Sequence, residues 1–194
     1  DVVCARNIEH IIEFEGPEQI SAFVGEPIQQ GFGALAPPRE YWPIIREICD
    51  KFGILLIIDE VICGFGRTGK MFAMQHFGVT ADIMSLAKGI ASGMPLGATI
   101  APAKIMNWEA GSHASTFGGN PLSCQAAMAT IELLENNMMK NAANQGNRLI
   151  ESLREMQKTY ECMGDVRGKG LMVAVELVKD RQTKDPATDW RSCT

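Results

Sequence analysis

The chain has 194 residues, a net charge of -5 and 46% hydrophobic residues, and it contains no apolar run of the roughly 18 residues that a membrane-spanning helix needs. This composition is typical of a globular protein of one to one and a half domains, and the acidic balance argues against a nucleic-acid or membrane partner. The six cysteines form no C-x-x-C pair and the three histidines lack metal-ligand spacing, so we expect reduced, buried cysteines, a cytoplasmic protein and no metal.

The first half of the chain alternates helical and strand patterns. Residues 5–16 carry apolar side chains at helical spacing, and "ISAFVGEPI" then predicts a buried strand that ends near Glu26. Residues 39–52 predict a second helix, and "ILLIIDE" is a continuous apolar run typical of a strand covered on both faces. A short helical piece at 71–77 precedes two more predicted strands, "ADIMSLAKG" and "PLGATIA". This alternation predicts an α/β fold with a mostly parallel, doubly wound sheet.

The second half of the chain is mainly helical. Asn120 and Pro121 predict a helix start, because a capping side chain is followed by proline at the first helical position. Helical patterning runs to about residue 136 and resumes to about 158, and strands are expected on either side of "RGKG". We therefore expect residues 1–139 to belong to a large domain and residues 140–194 to begin a smaller α+β C-terminal domain.

Three polar side chains close predicted strands: Glu26, Asp59 and Lys88. A carboxylate after a strand is more often a cap or a solvated loop residue, and a lone lysine more often lies at the surface. Ligands of open parallel sheets bind outside the carboxyl ends of the strands, however, and all three residues are expected at that edge. Pyridoxal phosphate needs a lysine amine for its Schiff base and a carboxylate beside its ring nitrogen. Asp59 and Lys88, 29 residues apart, would supply both.

The segment "CGFGRTGKM" imitates two nucleotide-binding motifs. Its glycines at positions 64, 66 and 69 spell G-x-G-x-x-G, and Gly64–Lys70 spells G-x-x-x-x-G-K. Met71 stands where a P-loop has a Ser or Thr for Mg²⁺, and five residues (59–63) intervene between the strand tip and the first glycine of the dinucleotide pattern. We interpret the segment as a turn in which backbone segments pack closely. Nucleotide binding through Gly64–Lys70 remains a remote alternative.

Two long stretches carry a resemblance to a known family. "LLIIDEVICGFGRTGKMFAMQHFGVTADIMSLAKGIASGMPLGATIAP" and "HASTFGGNPLSC" resemble the class III (omega, or subgroup II) aminotransferases, which are fold-type-I enzymes dependent on pyridoxal phosphate. The resemblance runs from "EPIQ" to "GDVRGKGLM". It implies pyridoxal phosphate as the cofactor, residues 1–139 as part of the cofactor-binding large domain, and a homodimer with the active site at the interface. The implied reaction moves an amino group from an amine or amino acid to a small 2-oxo acid such as pyruvate or glyoxylate.

The resemblance also implies roles for five residues. Lys88 matches the lysine that bonds the cofactor and then shuttles a proton between the substrate α-carbon and the cofactor C4′. Asp59 matches the partner of the pyridine nitrogen, and Val61 matches the residue that packs on one ring face. Thr116 matches the hydroxyl that reaches the phosphate of the neighbouring subunit. Glu26 matches a glutamate near the pocket for the substrate carboxylate. Apart from the resemblance, Arg167 lies between two predicted strands and is either structural or pocket-lining, and we favour the structural interpretation.

Two departures leave the substrate open. Many family members have glutamine where this chain has Ile62, which favours branches that use amines or ω-amino acids with pyruvate. "GDVRGKGLM", in contrast, resembles the alanine–glyoxylate branch. Decarboxylases, racemases and aminomutases of the same fold share Lys88 and Asp59 and stay open as alternatives. A non-catalytic relative is disfavoured because both of these residues are present.

The family's N-terminal loop for the cofactor phosphate, its ring-stacking aromatic residue and its C-terminal arginine for the substrate carboxylate have no counterpart in the sequence. The sequence also starts at Asp1 rather than at a methionine. We therefore expect a piece of a longer protein, and we expect the piece alone to bind the cofactor poorly and to have little activity.

Overall fold

A four-stranded sheet organises the part of the chain that the computed structural model describes, which is residues 2–188. The strands stand side by side in chain order: β1 (Ala22–Gly25), β2 (Leu55–Asp59), β3 (Ile83–Leu86) and β4 (Ala98–Ile100). β1 and β3 flank β2 in parallel, and β4 runs antiparallel to β3. The predicted α/β fold with a mostly parallel sheet is confirmed, and "PLGATIA" supplies the antiparallel strand.

Two helices, α1 (Val3–Glu15) and α2 (Tyr41–Phe52), cover one face of this sheet. Leu56 and Ile58 of β2 point into a core that includes Trp42 and Ile45 of α2, and each such buried aliphatic side chain contributes about 1.5–3 kcal/mol. Because side chains alternate along a strand, Asp59 lies on the opposite face from these helices. The polar end of β2 is therefore kept out of the helical core.

A long helical run follows the sheet. It consists of α3 (Pro121–Leu133), a π-helical turn (Leu134–Met138) and α4 (Met139–Thr159). The Asn120 Oδ1 accepts hydrogen bonds from the N–H groups of Leu122 at 3.0 Å and Ser123 at 3.1 Å, which is the predicted cap. The break predicted near residue 136 is the π turn. The proposed boundary between residues 139 and 140 falls at the start of α4 and stays a prediction.

An antiparallel hairpin, β5 (Met163–Lys169) and β6 (Met172–Leu177), packs on α4. Ile150 of α4 forms a small core with Met163 and Val166 of β5. The predicted pair of strands is confirmed, although β5 continues through Arg167 to Lys169, so the chain reverses at residues 170–171. Short 3₁₀ turns complete the fold: Pro17–Gln19, Ala73–His76 and Lys88–Ala91. Within residues 2–188, none of the helices has the length and apolar character needed to cross a bilayer.

Asp82 fixes the start of the central strands. Its Oδ2 accepts hydrogen bonds from the N–H of Leu56 at 2.8 Å and from the Arg46 guanidinium at 2.7 Å. Arg46 also pairs with Asp50, one helical turn along α2, at 2.7 Å. Burial opposes ionisation of Asp82, but the bonds from Leu56 and Arg46 prevail and leave its pKa below the usual value. One carboxylate thus joins α2, β2 and the segment that enters β3.

We predict that Asp82→Ala lowers the free energy of unfolding by about 2–4 kcal/mol, because it leaves the Leu56 N–H and a half-buried guanidinium without their acceptor. Asp50→Ala is the matched control, since the Asp50 side chain is 67% exposed and its loss should cost less than about 1 kcal/mol. The lowered pKa means that the contribution of Asp82 is present above pH 3.8 and is lost as the pH falls below it. Urea denaturation measures both variants, and equal losses would contradict the assignment.

Candidate active site

Asp59 and Lys88 lie at the same edge of the sheet. Asp59 is the last residue of β2 and pairs in register with Ser85 of the parallel strand β3. Lys88 follows Ser85 by three residues and begins the 3₁₀ turn Lys88–Ala91. Asp59 is half-buried, whereas Lys88 is exposed. The structure therefore brings the predicted carboxylate and amine to the carboxyl ends of neighbouring strands, as the sequence pattern indicated.

The backbone at Lys88 adopts a strained conformation. Its φ of 46° lies in the left-handed region, which costs a residue with a side chain about 1–2 kcal/mol. The turn is held because the Ile90 N–H donates to the Ala87 carbonyl at 3.1 Å and Gly89 packs against Phe65, where a Cβ would stand 3.2 Å from the Phe65 Cβ. Conformations of this kind concentrate at functional sites, where the surrounding structure maintains them. The strain supports Lys88 as a functional residue.

The two side chains are available to a ligand. The Asp59 Oδ1 accepts the Val61 N–H at 2.9 Å, which orients the carboxylate and leaves its second oxygen without a partner among residues 2–188. Within the same residues, the Lys88 Nζ takes part in no hydrogen bond or ion pair. A free carboxylate oxygen can accept a hydrogen bond from a protonated ring nitrogen, and a free amine can bond an aldehyde. This pair of groups fits the chemical needs of pyridoxal phosphate.

Glu60, directly after Asp59, has a different role that the sequence analysis did not identify. Its side chain is fully buried, and its two oxygens accept the N–H groups of Ala73 at 3.0 Å and Met74 at 2.8 Å. Burial raises the pKa of this carboxyl group, and the two backbone bonds oppose the rise. Glu60 therefore anchors the 3₁₀ turn Ala73–His76. A second acidic residue directly after an apolar strand was the available signal.

Val61 and Ile62 continue the chain beyond the carboxylates. Val61 is half-buried beside Asp59, and Ile62 packs with Cys63 and Met172 in an apolar cluster that reaches the hairpin. Burial raises the pKa of the Cys63 thiol to about 12, so this cysteine is inert.

The cysteine prediction holds only in part. Among the described cysteines, Cys4, Cys49, Cys63 and Cys124 are free thiols. Cys49 and Cys63 are buried, but Cys4 and Cys124 are exposed, so the expectation of burial is wrong for these two. Cys4 lies in α1 and Cys124 in α3. The spacing of apolar residues in these helices did not show which side of each helix faces outward. Cys193 lies outside the described residues.

Glu26 stands at the same edge but in a separate cavity. Gly25 of β1 pairs in register with Ile58 of β2. Glu26 and Asp59 are the next residues after this pair, so they lie side by side at the carboxyl ends of the two strands. The Glu26 Oε2 accepts the Gln30 N–H at 3.2 Å. The side chain lines a cavity of about 350 Å³ with the aromatic residues Phe23, Tyr41 and Trp42. Neither Asp59 nor Lys88 lines this cavity, so the structure aligns Glu26 with them without joining the three in one pocket.

Thr116 lies in an exposed turn. The neighbouring residues Ser115 and Phe117 line a cavity of about 620 Å³ together with Ser85, the registered partner of Asp59. Thr116 itself is not among the lining residues. The structure thus places the turn beside the candidate site but does not bring the Thr116 hydroxyl to Asp59 or Lys88 of its own chain.

Other parts of the chain occupy the space around the glycine-rich segment. A Cβ at Gly66 would stand 2.6 Å from the Leu134 Cδ2, and a Cβ at Gly69 would stand 2.8 Å from the Ala143 Cβ of α4. Both glycines also have positive φ angles, 80° and 87°. The Arg67 carbonyl accepts the N–H of Leu171 from the hairpin at 2.9 Å. The interpretation as a closely packed turn is confirmed, and the space that a nucleotide phosphate would need is occupied.

Arg167 joins the hairpin to the loop that follows Glu26. Its Nε donates to the Gly33 carbonyl at 2.9 Å, and its Nη1 donates to Asp165 and Glu176 at 2.7 Å each. These bonds, to Asp165 first and then to Glu176, raise the pKa of the guanidinium. The structural interpretation of Arg167 is confirmed.

The fold and the site together define a class of protein. A mostly parallel sheet with a carboxylate and a free lysine at the ends of neighbouring strands agrees with the fold expected of pyridoxal-phosphate transferases. The sequence matches the family described as aminotransferase class-III over residues 1–192, and the chain belongs to this family.

Individual relatives agree with this family. The taurine–pyruvate aminotransferase of Bilophila wadsworthia is 45% identical over 199 residues, which cover 97% of this chain and 44% of that protein. A leucine/methionine racemase of Thermococcus litoralis is 44% identical over 197 residues, which cover 95% of this chain and 44% of that protein. The crystal structure of an amine transaminase from an uncultivated Pseudomonas species, in its form with bound pyridoxal phosphate, has a TM-score of 0.88 at 42% identity and covers 94% of this chain and 44% of that chain. The chain therefore spans less than half the length of these relatives.

We predict that Gly69→Ala lowers the free energy of unfolding by about 2–4 kcal/mol, because the added methyl group meets Ala143 and the backbone has a positive φ. Gly78→Ala is the matched control: its φ is 70° and no atom lies within 4 Å of the added Cβ, so only the backbone cost of about 1 kcal/mol applies. Chemical denaturation measures the difference. Equal losses in the two variants would contradict the close packing of the glycine-rich segment against α4.

Proposed function

We propose that the protein is a pyridoxal-phosphate-dependent transaminase that moves an amino group from an amine or amino acid to a small 2-oxo acid such as pyruvate or glyoxylate. The observation that carries the proposal is the pair Asp59 and Lys88 at neighbouring strand ends in a chain of the class III family. The name of the taurine–pyruvate relative supports pyruvate as the acceptor. Because the chain spans 44% of that relative, the proposal concerns the whole protein.

When bound, pyridoxal phosphate supplies an aldehyde that condenses with amines and a protonated ring that accepts electrons from the substrate α-carbon. Lys88 provides the amine that holds the cofactor. Its Nζ is exposed and has no partner within the described residues, so no ion pair must break before it reacts. With the cofactor bound, the Lys88 Nζ would accept the proton of the substrate α-carbon and deliver it to the cofactor C4′.

Asp59 keeps the proton on the cofactor's ring nitrogen. Its free carboxylate oxygen would accept the hydrogen bond from that nitrogen, while the Val61 N–H holds the other oxygen in place. A half-buried, oriented carboxylate stabilises a cation more strongly than a solvated one, because less water screens the interaction. We also propose that the Val61 side chain packs on one face of the ring.

Glu26 belongs to the proposed substrate pocket. Its carboxylate lies at the same sheet edge as Asp59 and borders a cavity with aromatic walls. Such a cavity suits the apolar part of an amine or amino acid, while a charged group at its rim orients the polar end. The identity of the amino donor depends on this pocket.

We predict that the full-length protein forms alanine from pyruvate and an amino donor, as detected by mass spectrometry, and shows the absorbance of lysine-bound cofactor. Lys88→Ala should abolish both, because it removes the amine that bonds the cofactor. Lys158→Ala is the matched control, since Lys158 is an exposed lysine of α4 paired with Glu155 and should keep both signals. If no donor among amines and amino acids yields alanine from pyruvate or glycine from glyoxylate, or if Lys88→Ala retains the absorbance, the proposal is wrong.

A racemase is the second candidate. The leucine/methionine racemase relative, at 44% identity, favours it. A racemase would use the same Lys88 and Asp59 but would invert an amino acid with no 2-oxo acid present. Chiral chromatography of a single enantiomer incubated without pyruvate separates the two functions. Decarboxylase and aminomutase activities would be detected in the same product analysis as loss of carbon dioxide or as a shifted amino group.

We further propose that the protein is a homodimer with the active site at the interface. The support is an uncovered apolar surface on α3 and the turn before it. Leu122 is 67% exposed, Met128 is 65% exposed and Phe117 is 71% exposed. A helix with apolar residues on all sides is typical of a buried position. In such a dimer, the exposed Thr116 hydroxyl would reach the cofactor phosphate of the other subunit.

We predict that Met128→Glu shifts the full-length protein toward monomer in analytical ultracentrifugation and weakens its hold on the cofactor, because the change buries a charge in the interface. Met156→Glu is the matched control, since Met156 is a 46% exposed methionine of α4. A monomeric wild-type protein, or a Met128→Glu dimer as tight as the wild type, would contradict this proposal.

A cytoplasmic location is also part of the proposal. It is supported by the free thiols of Cys4, Cys49, Cys63 and Cys124, because reduced thiols are the rule in reducing compartments.

A further inference from the structure

A second polar cavity lies away from the candidate active site, where α4 and the hairpin meet the segment that follows β2. Its volume is about 320 Å³, within the range of sites for small molecules. Thr68 and His76 line it from the segment after β2, Asn147 and Arg154 from α4, and Lys169 from the end of β5. Neither Asp59 nor Lys88 borders it.

The charged side chains that line this cavity are all positive. Arg154 and Lys169 both line it, and neither is in an ion pair within residues 2–188. The lining contains no acidic residue of the described chain. The nearby Lys70 Nζ donates to the Gln75 carbonyl at 3.0 Å. Within residues 2–188 it forms no ion pair with a carboxylate. In a chain of net charge -5, such a collection of uncompensated cations is unusual and attracts anions.

The positive charges near the cavity affect the protonation of His76. Its Nε2 lies 3.2 Å from the Thr68 carbonyl and 3.1 Å from the Thr68 hydroxyl. Burial first, and then the positive charges of Lys169 and Lys70, lower the pKa of His76 to about 4. The imidazole is therefore neutral at physiological pH, and its ring serves as a hydrogen-bonding wall of the cavity.

We propose that this cavity binds the phosphate group of a small metabolite or inorganic phosphate. An arginine guanidinium matches phosphate oxygens with two parallel N–H donors, and a lysine adds a second charge. Two unpaired cations balance the roughly two negative charges of a phosphate better than the single charge of a monocarboxylate. Asn147 and Thr68 offer further polar contacts.

A phosphate here would connect parts of the chain that are far apart in sequence. Arg154 belongs to α4, Lys169 to the hairpin and His76 to the segment anchored by Glu60. A ligand held by all three stabilises the folded state by RT ln(1 + L/Kd), where L is its free concentration. It would also raise the pKa of His76, because its negative charge offsets Lys169 and Lys70.

Calorimetric titration of the cofactor-loaded, full-length protein with inorganic phosphate tests the proposal, since the loaded cofactor fills its own phosphate site. At constant ionic strength near neutral pH, we expect saturable binding that Arg154→Gln weakens by roughly tenfold or more, the effect of losing a charge-assisted hydrogen bond. Lys169→Gln should weaken it similarly. Arg148→Gln is the matched control: it removes the same charge from α4, but Arg148 does not line the cavity and bonds Gln145, so the affinity should be unchanged.

Nuclear magnetic resonance supplies an independent readout. The His76 ring signal, assigned by its loss in His76→Gln, should titrate at a higher pH in saturating phosphate than the value of about 4 expected without it. Equal binding of chloride or acetate would reduce the effect to screening and overturn the proposal. Preference for succinate over phosphate would overturn the phosphate class, and unchanged affinity in both Arg154→Gln and Lys169→Gln would exclude this cavity.

Discussion

The parallel register between β2 and β3 is the constraint on which the candidate site depends. It pairs Asp59 with Ser85 and so sets the carboxylate beside the strand that leads into Lys88. A slip of one residue would turn Asp59 toward the helical core and bring an isoleucine to the ligand side, since side chains alternate along a strand. Asp82 opposes such a slip, because its carboxylate binds the Leu56 N–H of β2 while it is held by Arg46 of α2.

The same alternation separates two adjacent carboxylates. Asp59 is left with a free oxygen on the open face, whereas Glu60 is buried and fully used by two backbone N–H groups. One acidic residue therefore remains available for chemistry, and its neighbour fixes the path of the chain behind it. Lys88 receives its position in a comparable way, from a left-handed turn that the packing of Gly89 on Phe65 maintains.

Local patterns predicted most of this architecture. Apolar runs predicted the strands of the parallel sheet, and the ends of these runs predicted the shared edge of Asp59 and Lys88. The Asn120 cap was predicted from the residue pair Asn120 and Pro121. Each of these signals depends only on residues that are neighbours in the sequence. The cation-lined cavity and the exposure of Cys4 did not follow, because both depend on contacts between distant segments. Thr116 shows a further limit: its turn has no distinguishing residue chemistry, so only the family resemblance pointed to it.

The π-helical turn at residues 134–138 has a mechanical consequence. It links α3, which packs on the turn after Lys88, to α4, which packs on the hairpin, within one uninterrupted helical rod. Each residue of an α-helix advances the direction of its side chains by about 100°. The wider turn thus sets the angular phase between two faces that must point at different partners. A π turn holds one residue more than an α turn, so it absorbs this residue without rotating Ala142, Gly146 and Ile150 of α4 away from the hairpin.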